Sequence, residues 1–268
     1  QDAEAFVAEF RATGGTNIVL TWTATASTFA TGYNVLRASA DGGPYSQLAQ
    51  VTPRTTVTYT DSPASGTYYY VLQSYFQTWV STNTAQVTAG VSSNTGLLDC
   101  SANAAVTSSA GDNNGFQLNA GNACANDGAF AEDVDSGTGT STTCTATGKD
   151  KHLYYNYGVS VPAGSVVNGF EVRLDGFADS TTGAPRYCVE LSWNGGTSWT
   201  TAKTMASNLT TTEATYTLGA SGDTWGRTWA VSELTNANFR IRITSRASNI
   251  ARDFRLEWAA VQVTYTPP

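Results

Sequence analysis

Ile18-Val19-Leu20-Thr21-Trp22 decides the fold. Ile18, Leu20 and Trp22 fall on one side of an extended chain and Val19 and Thr21 on the other, the two-residue period of a strand with one face on a core. Tyr33 and Val35 repeat it. Asp41-Gly42-Gly43-Pro44 then supplies turn chemistry, Tyr59-Thr60-Asp61 ends a strand before Ser62-Pro63, and a turn at Ala64 to Gly66 leads to Tyr68, Tyr70 and Leu72 on one face. Asn83 to Thr88 is the predicted closing strand. The same alternation resumes at Leu153 to Tyr157 and Val159 to Val161, then at Phe170 to Leu174, Tyr187 to Leu191, Phe239 to Ile243 and Val261 to Tyr265. No long stretch carries helical periodicity, so the chain reads as all-β, and its 268 residues fit two β-sandwiches, over 1–90 and 91–268.

Composition narrows the function. Only 13% of residues are charged, while 11% are aromatic, enough to pack sheets and too many for a disordered chain. The net charge is −7, and neither half hides a basic domain: three basic and five acidic residues precede residue 98, and eleven and sixteen follow it. Nucleic acid is therefore not an expected partner. Lys149-Asp150-Lys151 is the densest basic spot and reads as a solvated loop. No apolar run approaches the roughly 20 residues that span a bilayer.

Cys100, Cys124, Cys144 and Cys188 all lie in the second half, without Cys-x-x-Cys spacing or a metal-like His neighbour. Two disulfides are the expectation, with Cys124–Cys144 and Cys100–Cys188 favoured among three connectivities. Bridges persist in oxidising compartments, and a start at Gln1 fits a mature terminus, so the protein is expected outside the cell or on its surface. Residues 90 to 150 are rich in Ala, Ser, Asn, Gly and Thr and read as a linker running into a stapled surface excursion from about 100 to 150.

Leu20-Thr21-Trp22, Gly32-Tyr33-Asn34-Val35-Leu36-Arg37, Tyr59-Thr60-Asp61 and Gly66-Thr67-Tyr68 resemble the fibronectin type III pattern in order and spacing over residues 5 to 89. That resemblance implies that Trp22 fills the core and that the Tyr68 hydroxyl bonds back to backbone, and Tyr33 is a further expected core residue. Residues 150 to 266 resemble a jelly-roll domain of secreted bacterial and archaeal proteins, through Val161-Pro162-Ala163-Gly164, Trp193 to Trp199, Thr224 to Trp229 and Leu256-Glu257-Trp258. Its broader likeness is to carbohydrate-binding jelly rolls, whose final strand often carries Leu-Asp with an acidic residue that holds structural calcium. Here Glu257 stands in place of that Asp.

Several residues are candidates for chemistry. Asp127, Glu132, Asp133 and Asp135 lie in a Gly-rich segment, and calcium takes six to eight oxygens of this kind. EF-hand spacing is absent, and a solvated acidic loop is the plainer reading. No cofactor is otherwise required. Trp193, Trp199, Trp225 and Trp229 sit in or beside turns, where flat rings stack on sugars, although core packing explains them as cheaply. His152, the single histidine, belongs to no nucleophile motif and reads as a turn or surface residue. Asn208-Leu209-Thr210 is a glycosylation sequon.

What remains is a non-enzymatic extracellular structural or adhesive protein, a cell-surface or pilus-like filament subunit that self-associates. The alternative is a carbohydrate-binding accessory module with a polysaccharide partner. Insertion of a strand around Ala5 to Phe10 into a neighbour is one route to a filament; packing of one jelly roll on the next subunit is the simpler one.

Overall fold

The computed structural model describes residues 9–268, so Ala5 to Ala8 of the inserted-strand candidate lie outside the described residues. The chain divides into two compact units, Gln1–Ser93 with Thr266–Pro268, and Asn94–Tyr265.

The first unit contains β1 (Arg11–Thr13), β2 (Ile18–Thr21), β3 (Gly32–Ala38), β4 (Ser46–Val51), β5 (Thr58–Asp61), β6 (Gly66–Phe76), β7 (Trp79–Val80) and β8 (Val87–Val91). One sheet runs β1-β2-β5; the other runs β4-β3-β6-β7, with β8 also on β6. Ile18, Leu20, Tyr33, Val35, Tyr70 and Leu72 are fully buried between them, and Val19 on the other face of β2 is exposed. Trp22 meets Tyr33 edge-on at 5.2 Å. The Tyr33 hydroxyl donates to the Arg54 carbonyl at 3.0 Å and accepts from the Thr25 N–H at 2.9 Å, so a buried phenol loses no hydrogen bond. Tyr68 donates to the Ala64 carbonyl at 3.2 Å, four residues upstream.

The closing strand begins at Val87 rather than Asn83. Ser81 and Thr84 lie alongside β6, but their side-chain hydroxyls accept from Ser74 N–H and Leu72 N–H in place of backbone carbonyls. A strand-like composition is thereby diverted from a regular ladder.

Beyond β9 (Ser93–Asn94), the second unit carries β10 (Ala102–Ala105), β11 (Ala131–Asp133), β12 (Lys151–Tyr155), β13 (Val166–Ala178), β14 (Arg186–Ser192), β15 (Lys203–Thr204), β16 (Ala214–Gly219), β17 (Arg240–Arg246) and β18 (Phe254–Thr266). Two sheets result, β10-β12-β17-β14-β15 and β11-β18-β13-β16. Val159 to Val161 is not a strand. Leu174, Val189, Leu191, Ile241, Ile243, Leu256 and Val261 are fully buried, and Phe170 stacks on Phe239 at 5.6 Å with Trp229 against both.

The region from 100 to 150 is more than a surface excursion. It contributes an edge strand to each sheet, β10 on β12 and β11 on β18, and Phe116, Ala123 and Ala131 join the core. The bridges are Cys100–Cys124 and Cys144–Cys188, not the favoured pairs. Cys124 bridges Trp258 of β18, which brings it beside Cys100, while Cys144 reaches Cys188 on the outer face of β14.

Candidate functional site

The turn after β14 is built to hold two indoles. Gly195 and Gly196 take consecutive positive φ values of 73° and 94°, a path that side chains with a Cβ disfavour. Ser192 Oγ accepts from the Gly196 N–H at 2.8 Å, and Asn194 Oδ1 accepts from the Ser198 N–H at 2.8 Å. Ser192 then pairs with Trp199, so Trp193 and Trp199 leave the ends of one braced turn.

These rings open onto a groove of about 620 Å³, lined by Trp193, Trp199, Trp225, Lys203 and Arg227 with Thr200 to Ala202 and Gly226. Its indoles divide into two kinds. Trp225 is buried, and its N–H donates to the Phe170 carbonyl at 3.1 Å; Trp229 lies buried beside Arg227 and donates to the Thr224 carbonyl at 2.8 Å. Both are committed to the fold. Trp193 and Trp199 are half-buried, and their indole N–H groups donate to no protein group among the described residues.

Each ring is backed by a cation. Arg227 lies 4.1 Å from the Trp193 ring centroid and 4.4 Å from that of Trp229, Arg242 lies 4.3 Å from Trp199, and Lys203 lies 5.2 Å from Trp225. Carboxylates fix all three cations: Arg227 binds Glu233 through two hydrogen bonds, Arg242 meets Glu190 at 2.7 Å, and Lys203 meets Asp223 at 2.8 Å. The Arg227 guanidinium holds the Glu233 carboxyl below its ordinary pKa. At Asp223 burial works upward, but Lys203 and the Trp225 N–H outweigh it. Such a groove has rigid flat walls and charged edges, the elements of saccharide recognition.

The other candidates are scattered. Asp127 caps its own turn through the Ala129 N–H, Glu132 pairs with Arg255 at 3.1 Å, Asp133 is fully buried, Asp135 is exposed, and Glu257 accepts from the Gly128 N–H at 2.6 Å. Among the described residues no group of three or more His, Cys, Asp or Glu side chains could hold a metal ion. Asn208 accepts from Arg186 Nε at 2.7 Å. His152 is neither in a turn nor on the surface: it is a buried residue of β12, its Nδ1 accepting from the Phe116 N–H and its Nε2 within 3.0 Å of Asn103 Oδ1. Burial lowers its pKa to about 4, so it stays neutral with both ring nitrogens occupied.

No family model matches the chain, and no curated protein matches it. Among solved structures it is similar to an Fn3-like protein from Clostridium thermocellum, 30% identical, over 34% of this chain and 95% of that one, at a TM-score of 0.30. A two-domain fibronectin type III segment of chicken tenascin matches at 9% identity over 90% and 91%, with a TM-score of 0.30. A structure concerning the promiscuous specificity of carbohydrate-binding modules from the beta-sandwich superfamily matches at 12% identity over 97% and 98%, with a TM-score of 0.31. With β1-β2-β5 as one sheet and β4-β3-β6 joined by β8 as the other, the first unit is a fibronectin type III-like sandwich. The second unit is a jelly-roll-like sandwich of two antiparallel sheets.

The fibronectin type III-like sandwich has its own exposed aromatics. Phe76 and Trp79 pair across the hairpin of β6 and β7, and Phe29 lies just before Thr31, whose N–H donates to the Tyr75 carbonyl. Trp79 is 73% exposed and Phe29 77%. Isolated aromatics in turns carry no period, so this tip is not legible in the sequence.

Proposed function

We propose that the protein is an extracellular binding module whose jelly-roll-like sandwich holds a polysaccharide against Trp193 and Trp199. One observation carries the reading: two half-buried indoles whose N–H groups have no partner among the described residues share a groove whose walls are fixed by Arg227 and Arg242. Each half-buried ring keeps part of its surface for the apolar side of a sugar, and its indole N–H for a hydroxyl. The two disulfides fit an oxidising compartment, and no helix among the described residues is long and apolar enough to cross a membrane. In a polysaccharide panel, Trp199→Ala is expected to weaken binding at least about tenfold while the melting curve stays in place. Unchanged binding by that variant refutes the groove.

A second reading, adhesion or assembly into a filament, draws on the bare aromatic tip of the fibronectin type III-like sandwich. Exposed aromatic clusters of this kind favour contact with another surface. Electron microscopy of native material tests it: filaments that Trp79→Ser disperses support it, and discrete monomers reject it.

A further inference from the structure

We propose that the polysaccharide held in this groove is an acidic one, its carboxylate or sulfate groups meeting Arg240 beside the indoles of Trp193 and Trp199. This rests on the groove reading above and adds the ligand's charge to it.

The fold gathers what the sequence disperses. On β17, Ile241 and Ile243 face the core, so Arg240, Arg242 and Arg246 share the outer face. Pairing sets Ser192 opposite Arg240, Glu190 opposite Arg242, Cys188 opposite Thr244 and Arg186 opposite Arg246, with Lys151 of β12 across from Thr244. Together with Arg227 of the groove, six of the fourteen cationic residues of an acidic chain lie on this sheet face or at its end, while Lys203 of β15 stands opposite Val189 on the core-facing side of the edge. Like charges meet there: Arg186 contributes to lowering the pKa of Arg246, and Arg242 to lowering that of Lys151, in each case beside a larger effect of burial.

The disulfide divides the row. Cys144 bonds Cys188 in the third rank, and Arg246 donates to the Thr142 carbonyl at 2.6 Å in the fourth, so this segment overlies the far end. The first two ranks adjoin the indoles. There Arg242 already has Glu190, as Lys203 has Asp223 and Arg227 has Glu233. Arg240 has no carboxylate in ion-pair reach among the described residues. Its guanidinium lies 4.4 Å from the Tyr155 ring centroid, its Nε has no partner, and its stem passes within 3.8 Å of where a Cβ on Gly196 would stand.

An uncompensated cation at the foot of the indole turn favours a ligand that brings negative charge. A neutral sugar leaves that guanidinium without a charge-assisted bond, whereas a carboxylate or sulfate supplies one. Nucleic acid fits less well, because its affinity grows with the number of phosphates neutralised, and of the cations beside the indoles only Arg240 lacks a carboxylate among the described residues.

The test is calorimetry on the full chain with two matched pairs, polygalacturonate against its carboxyl-reduced form and dextran sulfate against dextran, plus oligodeoxythymidine. The expected result is that a charged member binds at least about tenfold more tightly than its neutral partner, and that Arg240→Gln removes most of the difference. Arg246→Gln, behind the disulfide, leaves it unchanged. Charged and neutral members bound equally, with loss in Trp199→Ala, would overturn the anionic inference and keep the groove. Charged members bound equally well by Trp199→Ala would overturn the groove itself. No saccharide bound, or oligodeoxythymidine bound most tightly, would overturn both.

Discussion

The two sandwiches solve the same packing problem with different means. In the fibronectin type III-like unit, strands that pair lie within a few dozen residues of one another, and the buried carboxylate of Asp61 is answered by Arg37 at 2.9 Å and Tyr70 at 2.7 Å. It has no cysteine. In the jelly-roll-like unit, β11 pairs with β18 across more than a hundred residues, Leu98 bonds Val261, and Trp258 Nε1 donates to Asp99 at 2.7 Å. Closing such long loops costs chain entropy before the contacts return it. The unit that pays this most also holds both disulfides. Apolar alternation suffices when partners are near in sequence, and crosslinks matter when they are far.

Removing the bridges breaks the comparison most sharply. Closing loops of 24 and 44 residues contributes about 3.5 and about 4 kcal/mol in the chain-entropy account. Replacing all four cysteines by serine is therefore expected to unfold the second unit, while the first keeps its calorimetric transition. If reduction lowers both transitions together, the units do not differ in the way argued.

The converse change is Trp22→Ala. That side chain is 5% exposed and wedged against Tyr33, and its loss is expected to cost about 3–5 kcal/mol in the first unit alone. Saccharide binding by the second unit should survive. A smaller effect, about 1–2 kcal/mol, is expected from Tyr70→Phe, which withdraws the hydroxyl from Asp61 and leaves Arg37 in place. Denaturant melts of the first unit measure both.

The same contrast explains what could be read in advance. Strands with large alternating side chains, such as those around Leu20, Val172, Val189 and Ile241, were legible because their period is their burial. Ala102–Ala105 and Ala131–Asp133 were not, because alanines, an asparagine and two carboxylates give no alternation of large apolar side chains. Trp193, Trp199, Trp225 and Trp229 were visible as two pairs, but only the fold brings Trp193, Trp199 and Trp225 to one groove and lays Trp229 against its Arg227. Arg240 and Arg242 looked like an ordinary solvent face, because alternation with Ile241 and Ile243 says nothing about which neighbours stand opposite. Cysteine spacing likewise leaves connectivity open, since bridging depends on Cα approach.

The smallest predicted effect concerns the second unit's buried acids. Asp133 and Asp150 are almost completely buried, and both Asp133 oxygens lack partners beside the equally buried Lys149, Tyr154 and Ser245. Burial, reinforced by Asp112, raises the Asp150 pKa to about 7, and burial with Asp150 nearby raises Asp133 well above its ordinary value. A carboxyl raised in the folded state keeps a proton that the unfolded chain releases near pH 4. Its stabilising contribution is therefore complete below that pH, declines as pH climbs toward about 7, and is absent above it. His152 works in the opposite sense between about pH 4 and 6.5, because burial lowers its folded value and the unfolded chain holds the extra proton. The two slopes oppose one another at acid pH, and from pH 6.5 upward the acids act without it. Melting of the second unit at pH 6.5 and 8, compared between the native chain and Asp150→Asn, isolates the carboxyl. The native chain should lose more stability on the way to pH 8 than the variant, and the transition of the first unit, which does not contain Asp150, should serve as the unmoving reference.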